Sequence, residues 1–384
     1  MKNGKLNRFS TSPWINFLKS YLDIIRRHPI ITAYPVRMFV GTSTHCNLKC
    51  IMCGRQSDYP FKINYPPSEK VFKLMSKYFT YLLSADLFGF GEPFLENEYF
   101  EKIKYLRSIV PKLHTTTNGT LLDTNIINNI IDSGMDVVGI SIDAATPKTY
   151  SEIRPGGEFN KVISNIKNIN KIKKERNVPH PKIYLCFCIM KQNINDLPKL
   201  PGLANELQVE TTQIRNVNYY SEEMRDKLAF STNEYKKISE KFYEEVEKHK
   251  VSVWHFMSNP NIALNALKEN KNPESVHSKK VSYPLFCQYL WNNTILHPNG
   301  DVQLCCFRSH EITGNIMKND LKEIMNSSRL IEMRQMLLNG EIPYGCEGCC
   351  ELHIFERKSL LQKHLNIRNL KYFLFHKRPI NKPS

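Results

Sequence analysis

Between residues 36 and 220 two kinds of segment alternate. Short runs rich in β-branched and aromatic residues (36–43, 85–91, 112–119, 136–143, 182–190 and 211–219) are separated by amphipathic stretches of helical period near 68–80, 97–109, 123–133, 160–176 and 193–207. In one of these stretches Phe159, Val162, Ile163, Ile166, Ile169 and Ile172 share a stripe with Lys and Asn opposite, which predicts a surface helix packed on a sheet. Such alternation predicts an α/β fold with a parallel sheet, and spacings of about 25–45 residues suit right-handed βαβ crossovers that close part way into a (β/α)6 barrel. Functional residues in such folds belong at the carboxyl ends of the strands. There the sequence has Cys46 onward after the first strand, Gly91-Glu92-Pro93 after the second, Asn118-Gly119 after the third, and Ser141 and Asp143 on the fourth.

The pattern divides the chain into a basic amphipathic segment (1–35), the barrel (36–230), a charged helix and irregular linker (231–280), a small cysteine-rich module (281–355) and a basic tail (356–384). In the module, ILHPNGDVQLCC predicts a hairpin with Asn299-Gly300 at its turn, presenting Cys305 from the second strand. Two segments mix apolar and basic residues. Trp14, Phe17, Leu18, Tyr21, Leu22 and Ile25 lie beside Arg26 and Arg27, and Leu370, Phe373, Leu374 and Phe375 lie among bases. Each is expected to pack its stripe on the barrel; the alternative is a helix lying in a membrane interface.

Composition narrows the class. With 384 residues, 41% hydrophobic and 23% charged, the chain is neither disordered, collagen-like nor a plain coiled coil. No apolar run is long enough to span a membrane, and MKNGKLNRFSTSPW lacks the features of a secretory signal, so the expected compartment is the cytoplasm. The net charge of +16 sits at the ends: residues 1–37 hold seven Lys/Arg against Asp23 alone, and residues 357–384 hold eight against no acid. These flanks would attract a phosphate-bearing substrate or an anionic lipid. No RNA-binding fold or aromatic-basic sheet motif is present, so no sequence-specific nucleic-acid partner is expected. Eleven cysteines in such a chain argue for metal or redox chemistry over disulfides.

The first cysteine group, CNLKCIMC, puts Cys46, Cys50 and Cys53 in a loop directly after a strand. A structural zinc site normally takes four protein ligands, and only His45 stands near as a fourth. Three thiolates instead leave one position open, as a catalytic 4Fe-4S cluster requires. The motif resembles the signature of the radical S-adenosylmethionine (radical SAM) superfamily. Gly91, Glu92 and Pro93 resemble the end of that family's GGEP motif, with Phe90 in place of its first glycine, and TTTNG (115–119) and SID (141–143) resemble its third- and fourth-strand motifs. The resemblance covers about residues 36–220. It implies that Cys46, Cys50 and Cys53 carry the catalytic cluster and that Gly91, Glu92, Pro93, Asn118, Ser141 and Arg154 contact S-adenosylmethionine.

The later group resembles the SPASM or twitch auxiliary-cluster domain, including Gly314-Asn315-Ile316. A full SPASM domain would continue with a cysteine where this chain has Phe355, so the resemblance implies one auxiliary 4Fe-4S cluster on Cys287, Cys305, Cys346 and Cys349, with Cys306 and Cys350 as adjacent spares. A zinc knuckle is the alternative. Cys186 and Cys188 alternate along a strand and face one side, as apolar core residues or as the wall of a substrate cavity. The fold class is then α/β, a partial (β/α)6 TIM-like barrel followed by a small cysteine-rich SPASM/twitch domain.

The family likeness implies an oxidoreductase-like enzyme with two 4Fe-4S clusters and S-adenosylmethionine, served by a reductant such as flavodoxin or ferredoxin. It would take a hydrogen atom from its substrate through a 5'-deoxyadenosyl radical, the auxiliary cluster accepting the electron. The single auxiliary cluster suggests oxidation of a small carbohydrate or cyclitol-type substrate. A ribosomally made peptide is the second reading, although 35 residues before the barrel are few for a leader-recognition domain. The third is a non-catalytic iron-sulfur protein bound to a membrane or polyanion through its basic ends.

Overall fold

The computed structural model describes residues 12–56, 69–257, 261, 279–308 and 311–354. The basic tail (356–384), Phe355 and most of the linker lie outside the described residues. Strands β1 (Arg37–Val40), β2 (Ser84–Asp86), β3 (Lys112–Thr117), β4 (Val137–Ser141), β5 (Lys182–Ile189) and β6 (Thr211–Asn216) run parallel in chain order. Between them lie helices that include Glu69–Phe79, Tyr99–Arg107, Thr124–Asp132, Phe159–Glu175 and Leu200–Glu206. This is the α/β architecture of a partial TIM-like barrel. In Phe159–Glu175 the predicted stripe is buried at Val162, Ile166, Ile169 and Ile172.

A seventh parallel strand, β7 (Ser252–Phe256), follows the helix Thr232–His249 and pairs with β6. It lies in the stretch read as helix and linker. Five residues between a charged helix and SNPN are too short a run to signal a strand, and pairing with β6 creates it.

The C-terminal part contributes β8 (Lys279–Lys280), β9 (Leu285–Cys287), β10 (Asn293–Leu296), β11 (Asp301–Gln303), β12 (Ile312–Asn315), β13 (Glu341–Ile342) and β14 (Leu352–Ile354). The predicted hairpin is β10–β11, with Gly300 at φ +89° in its turn. Strand β10 pairs in parallel with β1, so one ten-stranded sheet runs β12-β11-β10-β1-β2-β3-β4-β5-β6-β7. The cysteine-rich module thus extends the barrel's own sheet.

The two faces of this sheet differ. Leu113, Val138, Ile140, Leu185, Phe187 and Ile214 are buried beneath the helices and join Ile127, Ile130, Ile166 and Ile169 in one core. The alternate positions on the inner face, among them His114, Thr116, Ser141, Tyr184, Cys186, Gln213 and Arg215, are mostly polar. On β3 this gives a strict alternation of half-exposed and buried residues.

The N-terminal helix Ser12–Ile25 departs from expectation. It buries Asn16, Ser20 and Asp23 beside Phe17 and Ile24, and turns Ile15, Leu18 and Leu22 outward. Specific polar bonds outweigh the apolar stripe: the Asn16 amide donates to Tyr34 O and Tyr81 O at 3.0 and 3.1 Å, and the Asp23 carboxylate accepts from Thr32 N and Ala33 N at 2.7 and 2.9 Å.

Arg334 ties this region to the C-terminal module. Fully buried beside the Trp291 ring, it donates to Leu290 O at 2.7 Å, Pro29 O at 2.8 Å and Met325 O. Arg334→Ala would strand two buried carbonyls and a part-buried one and open a cavity, a loss of about 2–4 kcal/mol measurable by urea unfolding. A change below about 0.5 kcal/mol would mean the clamp is dispensable.

Candidate active site

The loop after β1 carries Cys46, Cys50 and Cys53, and neighbouring backbone holds it from two sides. Lys49 N and Ile51 N donate to Pro155 O and Ile153 O at 3.2 and 3.0 Å, and Glu92 N donates to His45 O at 2.7 Å. The second contact needs a glycine before Glu92. A Cβ on Gly91 would stand 2.4 Å from Ser43 O and 2.5 Å from His45 O, so no side chain fits. Phe90, where the family has glycine, stacks at 6.4 Å on His297 of the C-terminal hairpin. Pro93 opens the short 3-10 turn Pro93–Leu95.

Glu92 lies behind this loop, 1% exposed, accepting from Thr117 Oγ1 at 2.6 Å and Asn118 N at 2.8 Å. Burial pushes its carboxyl up to about 7, and these hydrogen bonds only partly offset it. The Asn118 amide donates to Asn47 Oδ1 at 2.9 Å and stands 3.9 Å from Cys46 Sγ. Arg154 approaches from beyond β4. It donates to Cys50 Sγ at 3.6 Å and pairs with Asp143, whose other oxygen accepts from Cys188 N at 2.7 Å. The β1 loop, the turn after β2, the end of β3 and the segment after β4 therefore bring Cys46, Cys50, Glu92, Asn118 and Arg154 together. Ser141 is half-exposed on the inner face, in register with Cys186.

The donor set fits an anionic iron-sulfur and carboxylate-bearing group. Arg154 Nε is buried without an acceptor beside Cys50. Burial also pushes the Cys50 thiol up to about 11, so loading a metal there releases a proton.

The later cysteines ring a small cavity of ≈ 30 Å³. Its walls include Cys287, Cys305, Cys346 and Cys349 together with Leu304 and Arg308. Cys287 ends β9, Cys305 follows β11, and Cys346 and Cys349 come from a turn in which Gly348 adopts φ +70°. Arg308 is fully buried, donates from its backbone to Cys305 Sγ at 3.2 Å, and pairs with Glu311 while donating to Tyr344 O at 2.6 Å. Cys306 turns the other way and hydrogen-bonds the Tyr289 hydroxyl. Among the described residues no three His, Cys, Asp or Glu side chains close on a single metal ion.

Between the two cysteine sites lies the polar inner face. Arg37 donates to Asp86 at 2.6 and 2.9 Å, Asp86 meets His114 Nδ1, and His114 Nε2 stands 2.8 Å from the Tyr184 hydroxyl. The Arg37 guanidinium and His114 hold the Asp86 carboxyl well below the usual range. Tyr184 reaches this position because β4 has Gly139, whose Cβ would stand 2.5 Å from the phenol. Sequence reasoning did not single out Arg37, Asp86, His114, Tyr184 or Arg215. The available signal was a polar residue at every second position of β3, β5 and β6.

Fold and site define an iron-sulfur protein of the radical type. Residues 40–200 match the Radical SAM superfamily, and residues 287–350 match the SPASM iron-sulfur cluster-binding domain. The chain belongs to the radical SAM superfamily and carries a C-terminal SPASM domain, with the family's S-adenosylmethionine and iron-sulfur cofactors. Among curated proteins it is similar to a probable GTP 3',8-cyclase of Methanocaldococcus jannaschii (27% identity over 169 residues, 44% of this chain and 54% of that protein). It is also similar to the Fe-coproporphyrin III synthase of Methanosarcina barkeri (28% over 165 residues, 43% and 39%). The chain thus spans about half the length of the curated relatives it matches. In fold it resembles Streptococcus suis SuiB bound to S-adenosylmethionine (TM-score 0.60, 16% identity, 86% of this chain and 75% of that one). It also resembles anSMEcpe with bound AdoMet (TM-score 0.58, 18% identity, 89% and 100%). No helix among the described residues is long and apolar enough to cross a membrane.

Gly91→Ala is expected to displace the Cys46–Cys53 loop and abolish cluster assembly there. Anaerobic reconstitution should then give about four irons per chain against about eight for the wild type. Equal iron in both proteins would show that the close approach is not required.

Proposed function

We propose that the chain is an oxidoreductase that cleaves S-adenosylmethionine reductively at a 4Fe-4S cluster on Cys46, Cys50 and Cys53, and oxidises a small carbohydrate or cyclitol-type alcohol. The observation that carries this reading is the polar inner face between the two cysteine sites, whose donors and acceptors suit a hydroxyl-rich molecule. When bound, the cluster and S-adenosylmethionine supply a radical that takes a hydrogen atom from an unactivated C–H bond.

The chain's own residues do the rest. Glu92 and Asn118 brace the cysteine loop, and Arg154, held by Asp143, offers its guanidinium to the anionic groups of the cofactors. Gly91 and Pro93 would set the backbone at the methionine end of S-adenosylmethionine, and Asn118 and Ser141 would offer contacts to its ribose and carboxylate. His114 and Tyr184 stand ready to hold a substrate hydroxyl and its proton. Cys287, Cys305, Cys346 and Cys349 supply four thiolates to a second 4Fe-4S cluster, which leaves no iron open for substrate and favours its use as an electron acceptor, with flavodoxin or ferredoxin as the reductant of the first.

A ribosomally made peptide is the second reading, supported by the fold shared with SuiB, which has been captured with its precursor peptide SuiA. Product profiling with candidate alcohols and with small peptides separates the two.

Reduced, reconstituted wild type is expected to form 5'-deoxyadenosine from S-adenosylmethionine, and a Cys46/Cys50/Cys53→Ala variant none. Formation by neither protein would remove the radical reading. In parallel, Cys305→Ser should cost about four irons and Cys306→Ser none; the reverse would exchange their roles.

A further inference from the structure

One inner-face group is used neither by the cysteine sites nor by the proposed hydrogen-atom transfer. Arg215 on β6 is in register with Cys188 on β5, and so shares a face with Tyr184, Cys186 and Cys188 at the carboxyl end of the barrel. Its side chain is exposed to solvent on that face, with the side chains of neighbouring strands around it. The groups acting on it most strongly are the thiols of Cys186, Cys188 and Cys306 and the Tyr184 hydroxyl. Cys306 neighbours the auxiliary site and Cys188 hydrogen-bonds the partner of Arg154, so Arg215 stands between the two cysteine constellations.

Its lack of a counter-ion is the telling feature. Arg37 is matched by Asp86, and Arg154 by Asp143. Arg215 makes no hydrogen bond or ion pair with any described residue. Burial pushes the Cys186 thiol up to about 11 and raises Cys188 and Tyr184 as well, so these neighbours are neutral near pH 7. A guanidinium that faces water and has no anionic partner is free to take one, and its planar fork suits a phosphate or carboxylate.

We propose that Arg215 is the anion anchor of the substrate chamber, holding a phosphate monoester or carboxylate of the substrate so that its hydroxyl-bearing part lies toward His114 and Tyr184. The proposal rests on the reading of the inner face as a substrate chamber. It derives the charge of the substrate from inside that chamber, independently of the basic chain ends.

The test is calorimetric titration of the cluster-reconstituted full chain, anaerobically and at about 0.15 M salt so that surface charge is screened, with glucose 6-phosphate, glucuronate and glucose. The charged sugars are expected to bind the wild type at least about tenfold more tightly than glucose, the magnitude of one charge-assisted pair. The stronger of the two identifies phosphate or carboxylate. Arg215→Gln should abolish the preference, and Arg215→Lys, which keeps the charge without the fork, should retain part of it. Arg215→Met, similar in length and apolar, gives the same reading if the glutamine variant does not fold. No preference in the wild type, or an undiminished one in both neutral variants, overturns the anchor. The titration contains neither reductant nor S-adenosylmethionine, so its failure and a failure to form 5'-deoxyadenosine are separate results.

Discussion

A parallel sheet with one apolar and one polar face is the constraint on which the molecule depends. Leu113, Ile140, Leu185 and Ile214 must be covered, and the crossover helices cover them. His114, Thr116, Tyr184 and Arg215 on the opposite face cannot be pressed against an apolar layer without losing hydrogen bonds or leaving charge unmatched. A closed, filled barrel is therefore unfavourable for this sequence. The sheet instead keeps two edges, β12 and β7, and a polar inner face between them.

The same sheet sets the relation between the two cysteine sites. Strand β1 leads directly into the Cys46–Cys53 loop, and its neighbour β10 leads through β11 to Cys305, so the register of Arg37–Val40 on Asn293–Leu296 fixes one site against the other. The first loop is then held by a backbone approach that excludes any side chain at residue 91. The second site is closed by a turn that needs glycine at residue 348 and by a buried arginine beside it. Each site is rigid for a local reason, and their separation is rigid for a global one.

Elements whose information is local were legible in the sequence. The six strands and the helix after Glu158 declare themselves by period, and the cysteine spacings with Gly91-Glu92-Pro93 declare the family. Long-range pairings were hidden: β7 exists because β6 is beside it, and β10 joins β1 across some 250 residues of chain. Polar side chains that work through distant partners were equally hidden. Nothing near Asp143 in the sequence marks it as the residue that holds Arg154, and Arg334 reads as an ordinary surface base until its three carbonyl partners are seen. The N-terminal helix was misread for a related reason. Its apolar stripe is conspicuous, whereas the bonds of Asn16 and Asp23 that leave Leu18 and Leu22 outward depend on residues 32–34 and 81.

The proposed function requires two iron-sulfur clusters of unlike accessibility on one face of the sheet, the first open to S-adenosylmethionine and the second enclosed by four thiolates. Electron paramagnetic resonance of the dithionite-reduced, reconstituted protein tests it most directly. Two overlapping 4Fe-4S signals are expected, of which S-adenosylmethionine shifts one and leaves the other unchanged, with only the unshifted signal surviving in the Cys46/Cys50/Cys53→Ala variant. A single signal in the wild type, or two signals both insensitive to S-adenosylmethionine, would contradict it.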